Sequence, residues 1–552
     1  MSEHKKAEDF AKEQKEISVS EFFEKNKHLL GFDNPTKSLL MAVKEAVDNS
    51  LDAAEEAGIL PDITVKIKQV DENTYIVSVA DNGPGIVREN VPRVFGKLLY
   101  GSKFHRLLQG RGQQGIGISS VTLYAQLTTG VPTKVWSKVE SKKKTYYCEL
   151  HLNTAKNEPD VIKEEEIDKE VVGEHGVKVE MEIHGRYRKT VEDYLKQTSI
   201  SNPFAKIAYT SPDGTKTVFP RSLNDLPKPP KRMKPHPHGM EFGILQRLLQ
   251  NTSSRTLLSF LTNEFSSVGS QSGKEICKLA KIPEDTKPQE LDRIAIEKLI
   301  KGMQTAKIQR PPTDCLSPIG SAELEKSLKK EYPNAEFVTS ITRDPEVYRG
   351  FPFLIEVGIV YGLGDEVQAK RKKENNDDKK EDVIELIRFA NRVPLLYQQS
   401  ACALTEAVKD VDWRRYNLSQ SGSNLPSGPM KLVIHICSVW VPFMSESKEA
   451  VAAYPEIIKE AKLAIQDAGR KLSSYLSGKR RAGEQKRRMQ MFDRYAGEVS
   501  DALAILTGKN DKEIEKKLRA LVESRVHIKE EFVDESVEMS DAKKGIKSEK
   551  KP

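Results

Sequence analysis

Between Asn34-Pro35 and Gly58 the apolar positions recur with helical spacing. Leu40, Val43, Val47, Leu51 and Ala54 fall on one side, while Glu45, Asn49 and Asp52 lie within about 60° of one another on the other. Asn34 supplies an N-cap, Pro35 a first helical position and Gly58 a stop, so the pattern predicts a helix whose apolar side packs on a sheet. Its polar side, taken alone, is also what an ordinary solvated helix face looks like. The period then changes. Ile63 to Lys68 alternates apolar and polar, Asp71-Glu72-Asn73 turns, and Tyr75 to Ala80 continues, which predicts a hairpin with one buried face. A helix on antiparallel strands is a two-layer α+β arrangement.

Downstream, Met240 to Leu261, Lys274 to Lys281 and Glu297 to Met303 have helical periodicity, after a proline-rich linker at Leu226 to Lys231. Phe353 to Tyr361, Ile384 to Pro394 and Met430 to Cys437 are strand candidates. Gln368 to Asp382 between them is charge-dense without apolar period and is expected to be a disordered or mobile loop. From Glu456, the series Ile458, Ala461, Ile465, Ala468, Leu472 and Tyr475 predicts a long helix with a basic continuation from Lys479 to Arg488. The charged stretch beyond 508 is expected to be partly helical, then disordered. Ile17 to Phe23 predicts an arm or short helix at the front.

A chain of 552 residues exceeds one core and, at about 100–200 residues per domain, suggests three or four. No apolar run approaches the length of a membrane span and the first residues do not read as a signal peptide, so a cytosolic protein is expected. Five scattered cysteines lack metal or disulfide spacing and are expected to be buried as small hydrophobes. The net charge of +7 permits a polyanionic partner without requiring one.

Two glycine-rich stretches add candidate chemistry. Asp81-Asn82-Gly83-Pro84-Gly85 follows the second strand, where a fixed Asp can accept from an exocyclic amine and glycines let backbone approach a base. Gly110 to Gly117 contains G-x-G-x-x-G but no strand precedes it, which argues against a dinucleotide fold; directly before a helix it still offers N–H groups to a phosphate. Gly269 to Glu275 falls one residue short of a phosphate-binding P-loop and reads as a turn between helices.

The order helix E-x3-N-x2-D, strand D-x-G-x-G, glycine-rich segment before a helix resembles the Bergerat ATP-binding fold of the GHKL superfamily. That group includes gyrase B-type subunits, MutL, the ninety-kilodalton heat-shock chaperone and histidine kinases. Over roughly residues 17–480 the chain further resembles the B subunit of DNA topoisomerase VI, the type IIB enzyme of archaea. Glu21 to Asn26, Phe95 to Lys103 and Lys234-Pro235-His236-Pro237-His238-Gly239 carry that likeness with the nucleotide boxes.

The resemblance implies an α+β multidomain chain. Its parts are an N-terminal arm (1–30), a GHKL α/β sandwich ATPase domain (31–228), a helix-two-turns-helix domain (229–306), an α/β transducer with a long C-terminal helix (307–490) and a charged extension (491–552). It assigns Glu45 as the base that polarises water, Asn49 as Mg2+ ligand, Asp81 as adenine reader, and Gly83 and Gly85 as floor for the base. Ser102, Lys103 and the run Gly110, Arg111, Gly112, Gln113, Gln114, Gly115, Ile116 and Gly117 would bind the nucleotide, and Lys448 would reach the γ-phosphate. Asp52 would be a supporting residue or a surface pair. Where the family commonly has His-Gly-Thr this chain has His175-Gly176-Val177, so either another group holds Asp81 or nucleotide affinity is altered.

ATP and Mg2+ would be the cofactors. Double-stranded DNA and the topoisomerase VI A subunit would be the partners, in an A2B2 heterotetramer closed by ATP-dependent dimerisation. The basic residues Arg247, Arg255, Lys274, Lys278 and Lys281 are candidates for DNA phosphates, as they are for plain solvated helix faces. Two competing readings are a MutL-like repair ATPase and a nucleotide-gated clamp with negligible turnover.

Overall fold

The computed structural model describes residues 17–101, 107–112, 115–168, 171–363, 383–445 and 448–521. Contacts divide the chain into two units, Met1–Gly469 and Arg470–Pro552. The first opens with helix α1 (Val19–Lys25), capped by the Ser18 side chain. Helix α2 (Pro35–Glu56) follows, with the Asn34 side chain accepting from the Lys37 amide at 2.9 Å and Pro35 at the first position. Gly58, at φ +72°, turns the chain out of it. Leu40, Val43, Val47, Leu51 and Ala54 are all buried, as the period requires.

That face lies on an eight-stranded sheet: β1 (Asp62–Asp71), β2 (Thr74–Asp81), β3 (Thr133–Lys138), β4 (Thr145–Asn153), β5 (Glu158–Ile167), β6 (Gly176–His184), β7 (Lys206–Thr210) and β8 (Lys216–Phe219). The order is β5-β4-β3-β6-β2-β1-β7-β8, antiparallel throughout except β1 with β7. The expected hairpin is present, with Val65 opposite Val79 and Ile67 opposite Val77. Short helix α3 (Val91–Gly96), helix α4 (Gly117–Thr129) and helix α5 (Thr190–Ser201) complete the layer. One core joins α2, α4, α5 and the sheet through Val47, Leu51, Val65, Val121, Val179 and Leu195. Outermost strand β5 is exposed along almost its whole length and carries Glu158, Asp160, Glu164, Glu165 and Glu166 against a single Lys163.

Four helices follow: α6 (Phe242–Asn251), α7 (Leu257–Glu264), α8 (Ser270–Ala280) and α9 (Arg293–Thr305), closed around Leu249, Phe260, Leu261, Ile276 and Leu299. The periodic run Met240 to Leu261 is thus two helices. Thr256 starts the second by accepting from the Ser259 amide at 3.2 Å, and a cap inside an apolar series does not disturb the series. The Gly269 to Glu275 stretch is a helix start, with Gly269 as N-cap of α8; the turn lies just before it, at Ser267 with φ +58°.

Helix α10 (Ser321–Glu331) covers a second sheet of β9 (Phe337–Thr342), β10 (Glu346–Tyr348), β11 (Phe351–Tyr361), β12 (Glu385–Ala390), β13 (Val393–Pro394) and β14 (Met430–Ser438). Central β11 is buried from Pro352 to Val360, which explains its apolar sequence; the one charged residue in it, Glu356, is fully buried and bonded to the Ile319 and Gly320 amides, Thr342 and His435. The run Ile384 to Pro394 is two strands folded at Asn391-Arg392. Short helix α11 (Ala403–Lys409) precedes β14, and helix α12 (Pro455–Thr507) follows it. Ile457, Ala461, Ile465 and Ala468 are fully buried, so the inward seam starts at Ile457 and not at Ile458.

In the second unit the 490/491 division falls inside continuous helix, and a further helix covers 511–521. The expectations for Gln368 to Asp382 and for the end of the tail lie outside the described residues. All five cysteines are buried. Among the described residues no helix is long and apolar enough to cross a membrane.

Candidate nucleotide site

The three polar positions of α2 have separate surroundings. Glu45 is partly exposed and meets Lys44 Nζ through Oε1 at 3.2 Å; Lys44 also meets Asp48 Oδ2 at 3.2 Å, and Tyr194 donates to Asp48 Oδ1 at 2.8 Å. Burial alone would raise the Glu45 carboxyl, but Lys44 and Lys448 hold it below the usual carboxylate range, so it is ionised at neutral pH. Its other oxygen, Oε2, lies so close against Gly117 that a Cβ there would overlap it. The base candidate therefore faces the first turn of α4. Asn49, one turn along, is exposed, and among the described residues its amide has no hydrogen-bond partner. Asp52 is no surface pair: it is buried, 2.7 Å from the Arg111 guanidinium.

Asp81 ends β2 and is held by three donors. Gly83 N and Val177 N reach Oδ1 at 2.9 and 3.1 Å, and Ser50 Oγ reaches Oδ2 at 2.7 Å. Val177 thus contributes its amide, and Ser50, beside Asn49 on α2, supplies the hydroxyl that the side chain at 177 lacks. Burial pushes the Asp81 carboxyl up; the Ser50, Gly83 and Val177 bonds pull the other way. Gly83 is buried beside it, its carbonyl 2.8 Å from His175 Nδ1. Gly85 has φ +76°, and a Cβ there would run into the Lys138 carbonyl, so this turn admits only glycine.

A hydrogen bond between a charged carboxylate and an amine contributes about 1.5–3 kcal/mol. On the expectation that Asp81 accepts from the adenine amine, Asp81→Asn should weaken ATP binding by about 10- to 100-fold, and Ser50→Ala should do so by a few-fold, both measured by calorimetry. Unchanged affinity in Asp81→Asn would remove the adenine role.

The glycine-rich segment reaches α4 through Gly115, at φ +60°, and Ile116, the residue before the helix. With 13 residues and no side-chain cap among the described residues, α4 directs the N–H groups of its first turn, from Gly117 on, to the place beside Glu45. Ser102, Lys103, Gln113 and Gln114 lie outside the described residues. Gly110 and Gly112 flank Arg111, whose guanidinium is turned into the protein onto Asp52, Glu55 and Asn202. Only its main chain is left for a nucleotide.

Lys448, at φ +53° after β14, donates from Nζ to the Arg111 carbonyl at 3.0 Å. Burial lowers its ammonium below the ordinary lysine range, and Lys44 adds to this against the pull of Glu45. The next residue, Glu449, pairs with Lys37 of α2, which also lies 3.3 Å from Asp33. Lys448 is thus a partly buried member of the site, not a surface lysine opening a helix. Sequence reading missed Lys44, Ser50 and Tyr194. Only the i, i+4 spacing of Lys44 and Asp48 hinted at one of these contacts.

A profile described as histidine kinase-, DNA gyrase B- and HSP90-like ATPase matches residues 35–155, so the class this fold and site define is an ATPase domain of that superfamily. A second profile, topoisomerase VI B subunit, transducer, matches residues 311–488. The chain is 50% identical over 471 residues to the B subunit of type 2 DNA topoisomerase 6 from Archaeoglobus fulgidus, covering 85% of this chain and 75% of the relative. It is 48% identical over 475 residues to that of Methanococcoides burtonii, with 85% and 74% covered. Against that of Pyrococcus horikoshii it is 36% identical over 587 residues, with 97% and 99% covered. The chain belongs to the family of type 2 DNA topoisomerase 6 B subunits and has the role of the ATP-driven subunit of a type IIB topoisomerase.

Proposed function

We propose that ATP binds between Asp81 and the α4 N-terminus and that its hydrolysis, with Glu45 as base, gates DNA strand passage. The observation that carries this reading is the convergence of Glu45 Oε2, the first turn of α4 and the Lys448 loop on one place. Gly83 and Gly85 border the base, and the main chain of Gly110, Arg111, Gly112, Gly115, Ile116 and Gly117 surrounds the phosphates; Gln113, Gln114, Ser102 and Lys103 are assigned to the nucleotide by the family resemblance. Glu45 takes the proton of the attacking water, and Lys448 offsets charge on the terminal phosphate.

The donor set fits Mg2+. Among the described residues no cluster of three or more His, Cys, Asp or Glu is arranged to hold a metal, whereas the unpartnered, exposed Asn49 amide suits an ion that takes one protein ligand and phosphate oxygens. Bound there, Mg2+ would neutralise phosphate charge.

In this reading two chains dimerise on ATP, and double-strand cleavage belongs to the A subunit in a cytoplasmic A2B2 heterotetramer. An apolar groove of the second unit, lined by Met491, Phe492, Tyr495, Val499, Leu518 and Leu521, supports a protein partner. The domain division at 30, 228, 306 and 490 goes with it, and exposed Arg247, Arg255, Lys274, Lys278 and Lys281 of 229–306 supply phosphate contacts. The transducer match at 311–488 disfavours a MutL-like repair role.

Steady-state ATPase with and without DNA, and supercoil relaxation after mixing with a matching A subunit, test the proposal. Negligible turnover would favour a nucleotide-gated clamp. Turnover without relaxation would separate the ATPase from the topoisomerase role. Size measured with and without a non-hydrolysable ATP analogue tests dimerisation.

A further inference from the structure

Strands β12 and β13 are joined by only Asn391 and Arg392, since Ala390 already pairs with Val393. Both residues have positive φ, +47° and +66°. Such two-residue hairpins favour Asn-Gly, because the second position strains any side chain. Here that position is an arginine, and both residues are buried, 6% and 4% exposed. A strained, buried, charged turn persists only where its surroundings over-determine it.

Those surroundings belong to two domains. On the transducer side, the Arg392 amide donates to His435 Nε2 at 3.0 Å, and the other ring nitrogen of His435 lies 2.7 Å from buried Glu356. The Asn391 side chain exchanges hydrogen bonds with the Ser438 main chain, both at 2.9 Å. On the ATPase side, Asn391 Nδ2 donates to the Gly110 carbonyl at 3.3 Å, and Arg392 Nη1 donates to Glu55 Oε2 at 3.1 Å. Arg111 of the glycine-rich segment binds the other oxygen of the same carboxylate. One carboxylate on α2 is thus shared by two buried guanidiniums, one next to the phosphate site and one in the transducer sheet. Displacing either cation changes the field on the other, and in a low-dielectric interior such a change is large.

We infer that Asn391 and Arg392 are positioning residues that tie the glycine-rich segment, through Glu55, to strand β14, as a second connection beside Lys448. The inference rests on the ATPase reading above. It requires that nucleotide at Gly110–Gly112 be felt at the Ser438 amide, 47 residues from Asn391 in sequence.

The test is hydrogen exchange at the amides of 435–438 in the full chain, with and without saturating non-hydrolysable ATP analogue. We expect the analogue to change exchange there by threefold or more in the wild type, and the change to be lost in Glu55→Gln and in Arg392→Gln. Arg392 also donates to Ser317 and Pro318, and Glu55 also holds Arg111, so loss in the double variant should match that of the more affected single, the shared Glu55–Arg392 contact being already gone. In the A2B2 complex the singles should hydrolyse ATP within about twofold of wild type but relax about fivefold less DNA per ATP. Arg392→Lys keeps the charge without the fork and should lose part of the exchange response; it also decides the matter if Arg392→Gln does not fold.

An exchange response that survives in the variants overturns the inference, as does a proportional fall of hydrolysis and relaxation with an unchanged ratio. A wild-type chain that binds the analogue without any response at 435–438 overturns it too. A wild-type chain that fails to bind the analogue faults the ATPase reading itself.

Discussion

Glu45→Ala should bind ATP and dimerise like the wild type yet hydrolyse it about 10²–10⁴-fold more slowly, the range of a lost general base. The expectation rests on how its two oxygens are used. Oε1 is pinned by Lys44, which is held by Asp48, itself fixed by the Tyr194 hydroxyl, and Oε2 is left against Gly117 at the head of α4. Removing the carboxylate takes the proton acceptor away and leaves the three donors on Asp81 and the Gly83–Gly85 turn in place, so affinity should hold. Single-turnover hydrolysis beside analogue binding checks both halves. Turnover near the wild-type rate would end the base assignment.

Lys448→Ala should leave ATP affinity within a few-fold but slow both hydrolysis and relaxation by about 10²-fold, as for a lost transition-state donor. Its pH dependence carries a sign. Lys44 and Lys448 together hold the Glu45 carboxyl down. With Lys448 gone the Glu45 pKa rises, so the base is protonated at higher pH and the acid limb of the rate profile moves up. A profile fixed in place with an unchanged rate would return Lys448 to a structural role, holding Arg111 O only.

Much of this was legible along the chain, because the signals were local. Asn34-Pro35, the helical period of α2 and the Asp71-Glu72-Asn73 turn each act within a few residues, and helix and hairpin stand where those residues put them. What was illegible depended on distant partners. Asp52 reads as either a supporting residue or a surface pair until Arg111, 59 residues on, arrives to pair with it. Ser50 gains meaning only when β2 ends beside it with Asp81. The Asn391-Arg392 turn carries no glycine, so a two-strand hairpin reads as one long strand. The choice between Ile457 and Ile458 turns on which side of α12 the rest of the chain covers, which periodicity does not contain.

The outermost strand β5 has a consequence for how many copies can meet. A free sheet edge is an invitation to extend the sheet into a neighbouring molecule, and proteins decline it by lining the edge with charge. On β5 five carboxylates stand against one lysine of the strand, and Lys97 and Arg88 from elsewhere offset part of that charge at Glu158, Glu164 and Glu166. Two such edges laid antiparallel with Asp160 opposite Glu165 would bring like charges together, which is destabilising. Charge on β5 therefore disfavours those continuations of the sheet into a second copy that set carboxylate against carboxylate, and narrows the registers open to such an edge.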